Sequence, residues 1–162
     1  MKTLTHAFAT AGLSVALLAT VTPVEALHAA TLVERAVMQS ETVSVRVEVK
    51  RSTTSVGNVW IGLYPDEATY EAGAEMTSVT LAADPNGVGH TFEGLEAGSY
   101  AVITFHDENA DGDFNRNFMG MPEERYGFSN NPRPRFRAAN WDEARFEVNE
   151  DRTIQIELFG AN

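Results

Sequence analysis

The stretch HDENADGDFNRN, His106 to Asn117, holds residues whose spacing suits a hard cation. Asp107, Asn109 and Asp111 stand at alternate positions and Gly112 follows, the opening of a D-x-N-x-D-G calcium loop. Calcium takes about six to eight oxygen ligands, and alternate positions on a tight loop point side-chain oxygens inward. Gly112 permits the sharp turn, the carbonyl of Asp113 falls at the seventh position, and Asn115 falls at the ninth. The pattern breaks at the twelfth position, where a bidentate Glu belongs and Phe118 stands. Another carboxylate must complete the shell, and Glu123, Glu124 or Asp113 is available for it. The candidate calcium ligands are therefore Asp107, Asn109, Asp111, Asp113, Asn115, Glu123 and Glu124. The competing account is a plain exposed loop, because Asp, Asn and Gly are the residues turns use. Carboxylates gathered without a cation repel one another, which raises the metal account above a chance match.

Other chemistry is thinner. No helices are expected on either side of the loop, so it is not an EF-hand proper. His90 and His106 lack a second donor at a spacing that suits zinc, and strand-end or surface roles are expected for both. His106 adjoins Asp107, but adjacent residues of a strand point to opposite faces, which argues against an acid–base pair. Glu123 and Glu124 would serve glycoside hydrolysis only with a partner carboxyl at a suitable separation. No Gly-x-Ser-x-Gly elbow occurs. Catalysis is not the expected role.

The elements that must position the loop read as strands. TVSVRVEVK alternates Val43, Val45, Val47 and Val49 against Ser44, Arg46 and Glu48, the period of a half-buried strand. VWIGLY (59–64), MTSVTLA (76–82), HTFEGL (90–95), SYAVITFH (99–106), ARFEVNE (144–150) and TIQIELF (153–159) follow, with turn signals such as DPNG at 84–87. Pro65 and Asp66 open a short helical turn or loop. Within SYAVITFH, Tyr100 and Val102 should face one way and Phe105 the other. About seven strands with short turns predict an all-β, antiparallel β-sandwich of the Ig-like or prealbumin-like kind over residues 42–160.

Between Asp107 and Trp141 no convincing element is predicted. Compact domains rarely carry structureless loops beyond about 12–15 residues unless these are functional or disordered. Phe114, Phe118, Met119, Met121, Tyr126, Phe128, Phe136 and Trp141 argue for an ordered loop folded back on the sandwich. Its acids come early (Asp107, Glu108, Asp111, Asp113, Glu123, Glu124) and its arginines late (Arg125, Arg133, Arg135, Arg137, Arg145), so pairing between the halves is expected.

The N-terminus reads as an export signal. Lys2 precedes the uncharged apolar run Ala7–Val21, and VEA at 24–26 suits a signal peptidase. The run is shorter than the roughly 20 residues a membrane-spanning helix needs. Cleavage is expected after Ala26, leaving 27–41 as a linker or short helix and no transmembrane segment in the mature chain. The chain has no cysteine, so neither a lipid anchor nor a disulfide is available, and a bound metal is a candidate substitute. The formal net charge of −11 argues against nucleic acid as a partner, despite the basic run Arg133–Arg137.

The segment TFEGLEAGSYAVITFHDENADGDFNRNFMGMPEERYGFSNN resembles the bacterial family called domain of unknown function 2141. Its members join a strand ending in His-Asp-Glu-Asn to a Gly-Met/Ile-Pro-x-Glu stretch and then Tyr-Gly-Phe-Ser-Asn. The resemblance covers roughly Val43 to Phe159 and is most specific over His106–Asn131. It implies an exported β-sandwich and no established activity. FEGLEAGSY also resembles the Phe-x-x-Leu-x-x-Gly-x-Tyr signature of prealbumin-like and peptidase-associated sandwich domains, where the Gly makes the turn. The transthyretin-like hydrolase of purine catabolism shares that architecture, but its Tyr-Arg-Gly-Ser tail is missing here. The expected function is a periplasmic or extracellular, non-catalytic module, calcium-stabilised, binding an envelope protein or glycan. The alternative is a small-molecule carrier or enzyme with its site under the 107–141 loop. A pocket joining His106 to two carboxylates would favour the alternative.

Overall fold

The computed structural model describes residues 42–52, 54–134 and 137–160. The expected signal segment 1–26 and linker 27–41 lie outside these residues, as do Arg135 and Phe136. Among the described residues eight strands form two sheets. The first has three strands in the order β4 (Val88–Leu95), β1 (Val43–Lys50), β8 (Arg152–Glu157). The second runs β3 (Thr77–Ala82), β2 (Asn58–Tyr64), β5 (Gly98–Asp107), β6 (Arg125–Phe128), with β7 (Phe146–Val148) on the other end of β5. The chain is an all-β sandwich, as its alternating patterns predict. Its strand pairs are antiparallel apart from β1 and β8, which run parallel from Val45 opposite Arg152 to Lys50 opposite Glu157.

The alternating apolar residues meet between the sheets. Val45 and Val47 of β1, Val59, Ile61 and Leu63 of β2, Val102 of β5 and Ile156 of β8 are buried to within 1% of complete there. Tyr100, Phe92 and Leu95 join them, and the Tyr100 hydroxyl donates to the Glu96 carbonyl at 2.9 Å, closing the turn before β5. A second cluster covers the opposite face of the five-stranded sheet. It contains Tyr64, Tyr70, Ala101, Phe128, Ala139, Trp141 and Ala144.

Two short helices supply part of that cover. Helix α1 (Glu67–Ala72) is capped by Asp66, whose carboxylate accepts the Thr69 N–H, and ends at Gly73 in the left-handed region. Its Tyr70 hydroxyl donates to the Ala139 carbonyl at 3.0 Å. Helix α2 (Trp141–Ala144) begins with a reciprocal capping box between Asn140 and Glu143. Ser129 fills the gap between β6 and β7 along the edge of β5: its N–H donates to the Val102 carbonyl and its Oγ accepts the Val102 N–H.

Three expectations change. The 107–141 stretch contains a strand, β6, which pairs Ile103 with Phe128 and His106 with Arg125. Its apolar residues divide: Phe114, Tyr126, Phe128 and Trp141 fold back, whereas Phe118 is 97% exposed and Met119 and Met121 are exposed beside it. The reason is a tight turn in which Asn117 and Met121 bond through their backbones, leaving the residues between them at the tip. The acids and arginines of the loop do not pair with one another among the described residues. The arginines find nearer partners, Arg133 with Glu157, Arg137 with Glu143, and Arg145 with Asp142 and Glu147.

Candidate functional site

Strand register builds the site. Trp60 stands opposite Phe105 and Phe105 opposite Tyr126, so three aromatic residues form one row across β2, β5 and β6. The next row on the same face is Gly62, Ile103 and Phe128. Gly62 is required there, because a side chain at this position would collide with the indole of Trp60. The indole stacks on Phe105 with ring centres 5.2 Å apart. The loop then drops Phe114 onto the row, 5.4 Å from Phe105 and 5.5 Å from Tyr126.

A pocket of about 330 Å³ opens between this aromatic floor and the loop. Arg116, Gly120, Met121 and Pro122 form one wall, Arg137 and Ala138 another, and Tyr64 stands at the floor's edge. Burial, with a contribution from Glu75, pushes the Tyr64 hydroxyl up to about 12, so it stays a neutral donor. The two arginines differ. Arg137 is held by both oxygens of Glu143, at 2.6 and 2.7 Å. Arg116 lies over Phe114 and donates to the Gly120 carbonyl, with no carboxylate within 4.0 Å among the described residues. The lining has no carboxylate and no histidine among the described residues.

The oxygen-rich loop leaves the same strand end. Asp107, the last residue of β5, is 3% exposed; its Oδ1 accepts the Asp111 N–H at 3.2 Å and its Oδ2 the Gly112 N–H at 2.9 Å. Asn109 donates its amide to Asp111 at 2.7 Å and to Asn115 at 3.0 Å, and Asn115 donates to Asp111 at 3.2 Å. Asp111 Oδ1 accepts the Asp113 N–H, and that bond, followed by the Asn109 amide, lowers its pKa. The Asp113 and Glu123 side chains are exposed. Glu124 is the exception: it is 6% exposed, its Oε2 accepts the Asn115 N–H at 3.0 Å, and its buried Oε1 has no partner.

Hairpin geometry explains why Glu124 lies here. The register ends with His106 opposite Arg125, and continuing it by one step carries Asp107 toward Glu124, just before β6 begins. Burial raises the pKa of Glu124, and the charges of Asp107 and Asp111 raise it further, against the lowering effects of the Asn115 N–H and, more weakly, the Glu108 N–H. Asp107, Asp111 and Glu124 therefore lie near one another, although no three acidic or histidine side chains among the described residues stand assembled as a metal-binding group. Gly57 locks the base of the loop: with φ at 77° it packs against the carbonyl of Asp107, where no side chain would fit.

His106 stands at the end of β5, one of the two roles expected of it, but it is fully buried and not at the surface. Its Nε2 lies 2.8 Å from the Val56 carbonyl, which makes that nitrogen the donor and leaves Nδ1 without a hydrogen-bond partner. The ring points away from the aromatic pocket, on the opposite face from Phe105. His90 packs edge-on against Phe92, 4.8 Å between ring centres. The pocket lies under the 107–141 loop, where the alternative expectation put a site, but its lining has neither His106 nor a carboxylate among the described residues. Nothing in the sequence marked its aromatic floor or Arg116, and the W-x-G spacing in VWIGLY was the one local sign of Gly62.

A β-sandwich whose β5–β6 connection starts and ends at two buried carboxylates, Asp107 and Glu124, and carries one wall of an aromatic pocket is the class that fold and site define. Its family follows from residues 47–156, which match the family described as uncharacterized protein conserved in bacteria, DUF2141. The chain belongs to that family. No curated protein matches it, and no solved structure does.

Proposed function

We infer that this chain is an exported, non-catalytic binding module that takes a small ring-shaped acid into the aromatic pocket. The observation that carries the reading is the row Trp60, Phe105 and Tyr126, roofed by Phe114 and flanked by Arg116. Aromatic faces stack on flat rings and pack against the C–H face of a sugar ring, and a guanidinium takes a carboxylate in a charge-assisted pair. A volume of about 330 Å³ lies at the small end of ligand sites and suits one ring. A sugar acid and an aromatic acid share this chemistry, and the first accords with a glycan at the envelope. Export rests on the N-terminal pattern alone.

The test is a titration of the purified protein with glucuronate and, separately, with benzoate, following Trp60 fluorescence. A saturable change that disappears in Trp60→Phe and weakens at least tenfold in Arg116→Ala is expected. No saturable change with either probe up to about 10 mM would overturn the reading, because a fitted pocket for a small acid should reach millimolar affinity. A second reading has its own observation: Phe118, Met119 and Met121 form an exposed apolar tip suited to a protein partner at the envelope. Phe118→Ser would abolish such docking and leave the fluorescence titration unchanged.

A further inference from the structure

The facing carboxylates at the base of the loop carry an inference independent of the pocket. Like charges opposite one another on neighbouring strands are destabilising, and more so where water is excluded. Asp107 and Glu124 come one step beyond the last paired residues of β5 and β6, His106 and Arg125, near enough for their charges to interact, and are 3% and 6% exposed. No Lys or Arg nitrogen lies within 4.0 Å of either among the described residues. Asp107 has backbone N–H donors on both oxygens. Glu124 accepts the Asn115 N–H on Oε2, the Glu108 N–H acts on the carboxylate more weakly, and its buried Oε1 makes no hydrogen bond. A buried carboxylate oxygen left so is costly unless something positive meets it.

We propose that a calcium-class divalent cation seats between Glu124 Oε1 and the Asp107–Asp111 turn. Its direct ligands come from Asp107, Asp111 and Glu124, with the amide oxygens of Asn109 and Asn115 and the carbonyl of Asp113 completing the shell. Every donor is oxygen, which selects a hard cation over zinc or copper. A pliable loop with this many oxygens suits calcium better than magnesium, which demands a tight octahedron and keeps its water. Glu124 takes the role that Phe118 cannot, and it does so from the far side of a hairpin. Glu123, one residue away and exposed, takes no part. The cation joins the end of β5 to the start of β6 and fixes the loop that carries Phe114 and Arg116.

Calorimetric titration of the full-length chain with calcium chloride, paired with thermal melts, tests the site. About one ion per chain with Kd below about 1 mM is expected, in the range of extracellular calcium modules. The melting temperature should rise by about 10 °C at calcium a hundredfold above Kd. Glu124→Gln should abolish both responses, yet melt at or above wild type without calcium, because it removes the unpartnered buried charge. Glu123→Gln should retain both. Asp111→Asn, on the exposed side of the turn, should weaken binding at least tenfold and serves if Glu124→Gln does not fold. No saturable heat up to about 10 mM calcium, calcium binding by Glu124→Gln equal to wild type, or magnesium bound as tightly as calcium would each overturn the proposal.

Discussion

The two faces of the five-stranded sheet are built from different materials. The inner face presents Val59, Ile61, Leu63 and Val102 to the other sheet, each without measurable exposure. The outer face presents Trp60, Phe105, Tyr126 and Phe128, and is covered by loop and short helices in place of a second sheet. Branched aliphatic side chains interdigitate and leave little room. Rings meeting at 27°, 48° and 69° touch through edges and faces and leave a gap between them, which is the pocket. One sheet thus separates a face that holds the fold from a face that can hold something else.

Substitutions that strike one face at a time test that division. The largest effect belongs to Ile61→Ala, which should cost about 2–5 kcal/mol in urea unfolding by leaving a cavity between the sheets. Loss of ligand binding should accompany it only as the protein unfolds. Gly62→Ala, one residue along and on the other face, forces the Trp60 ring aside. It should cost about 1–3 kcal/mol as overpacking does, and should abolish the fluorescence titration in protein that is still folded. If Gly62→Ala binds the probes as wild type does, the two faces are not functionally distinct.

The smallest effect is a pH dependence at the edge of the pocket. The Arg137 guanidinium, then the Asn140 N–H, hold the Glu143 carboxyl at about 2, below its ordinary 4.5. A carboxyl whose folded pKa is depressed adds stability above its unfolded pKa and loses it as pH falls through the folded value. The contribution should therefore fade from about pH 4.5 down to about pH 2. Glu143→Gln keeps a capping side chain but removes the charge, and should flatten stability against pH across that window. An unchanged slope would mean that the ion pair, largely in solvent, contributes nothing measurable.

The core between the sheets was legible in the sequence because it needs only alternation: Val43, Val45, Val47 and Val49 of β1, in the three-stranded sheet, announce it unaided. Tyr100 and Val102 opposite Phe105 were legible for the same reason. The outer face was not, since a row such as Trp60, Phe105 and Tyr126 exists only once three strands are in register. Strand β6 is four residues long and includes Gly127, which a strand pattern disfavours. The glycine is there because a Cβ would press into Ile156 of the facing sheet. Without β6 nothing separates Glu124 from Glu123 and Asp113 as the carboxylate nearest Asp107, so the loop chemistry is legible along the chain but not across it. The direction of β8 beside β1 leaves no mark in periodicity at all.

That parallel pair has a mechanical consequence. Tension applied between Val43, where β1 begins, and Glu157, where β8 ends, pulls the two neighbours past each other along their lengths. Their hydrogen bonds then bear the load together and must break nearly at once, whereas an antiparallel pair pulled from one end opens like a zip. A domain stretched by its ends meets its stiffest resistance at β1 and β8, far in sequence from the loop that carries its chemistry.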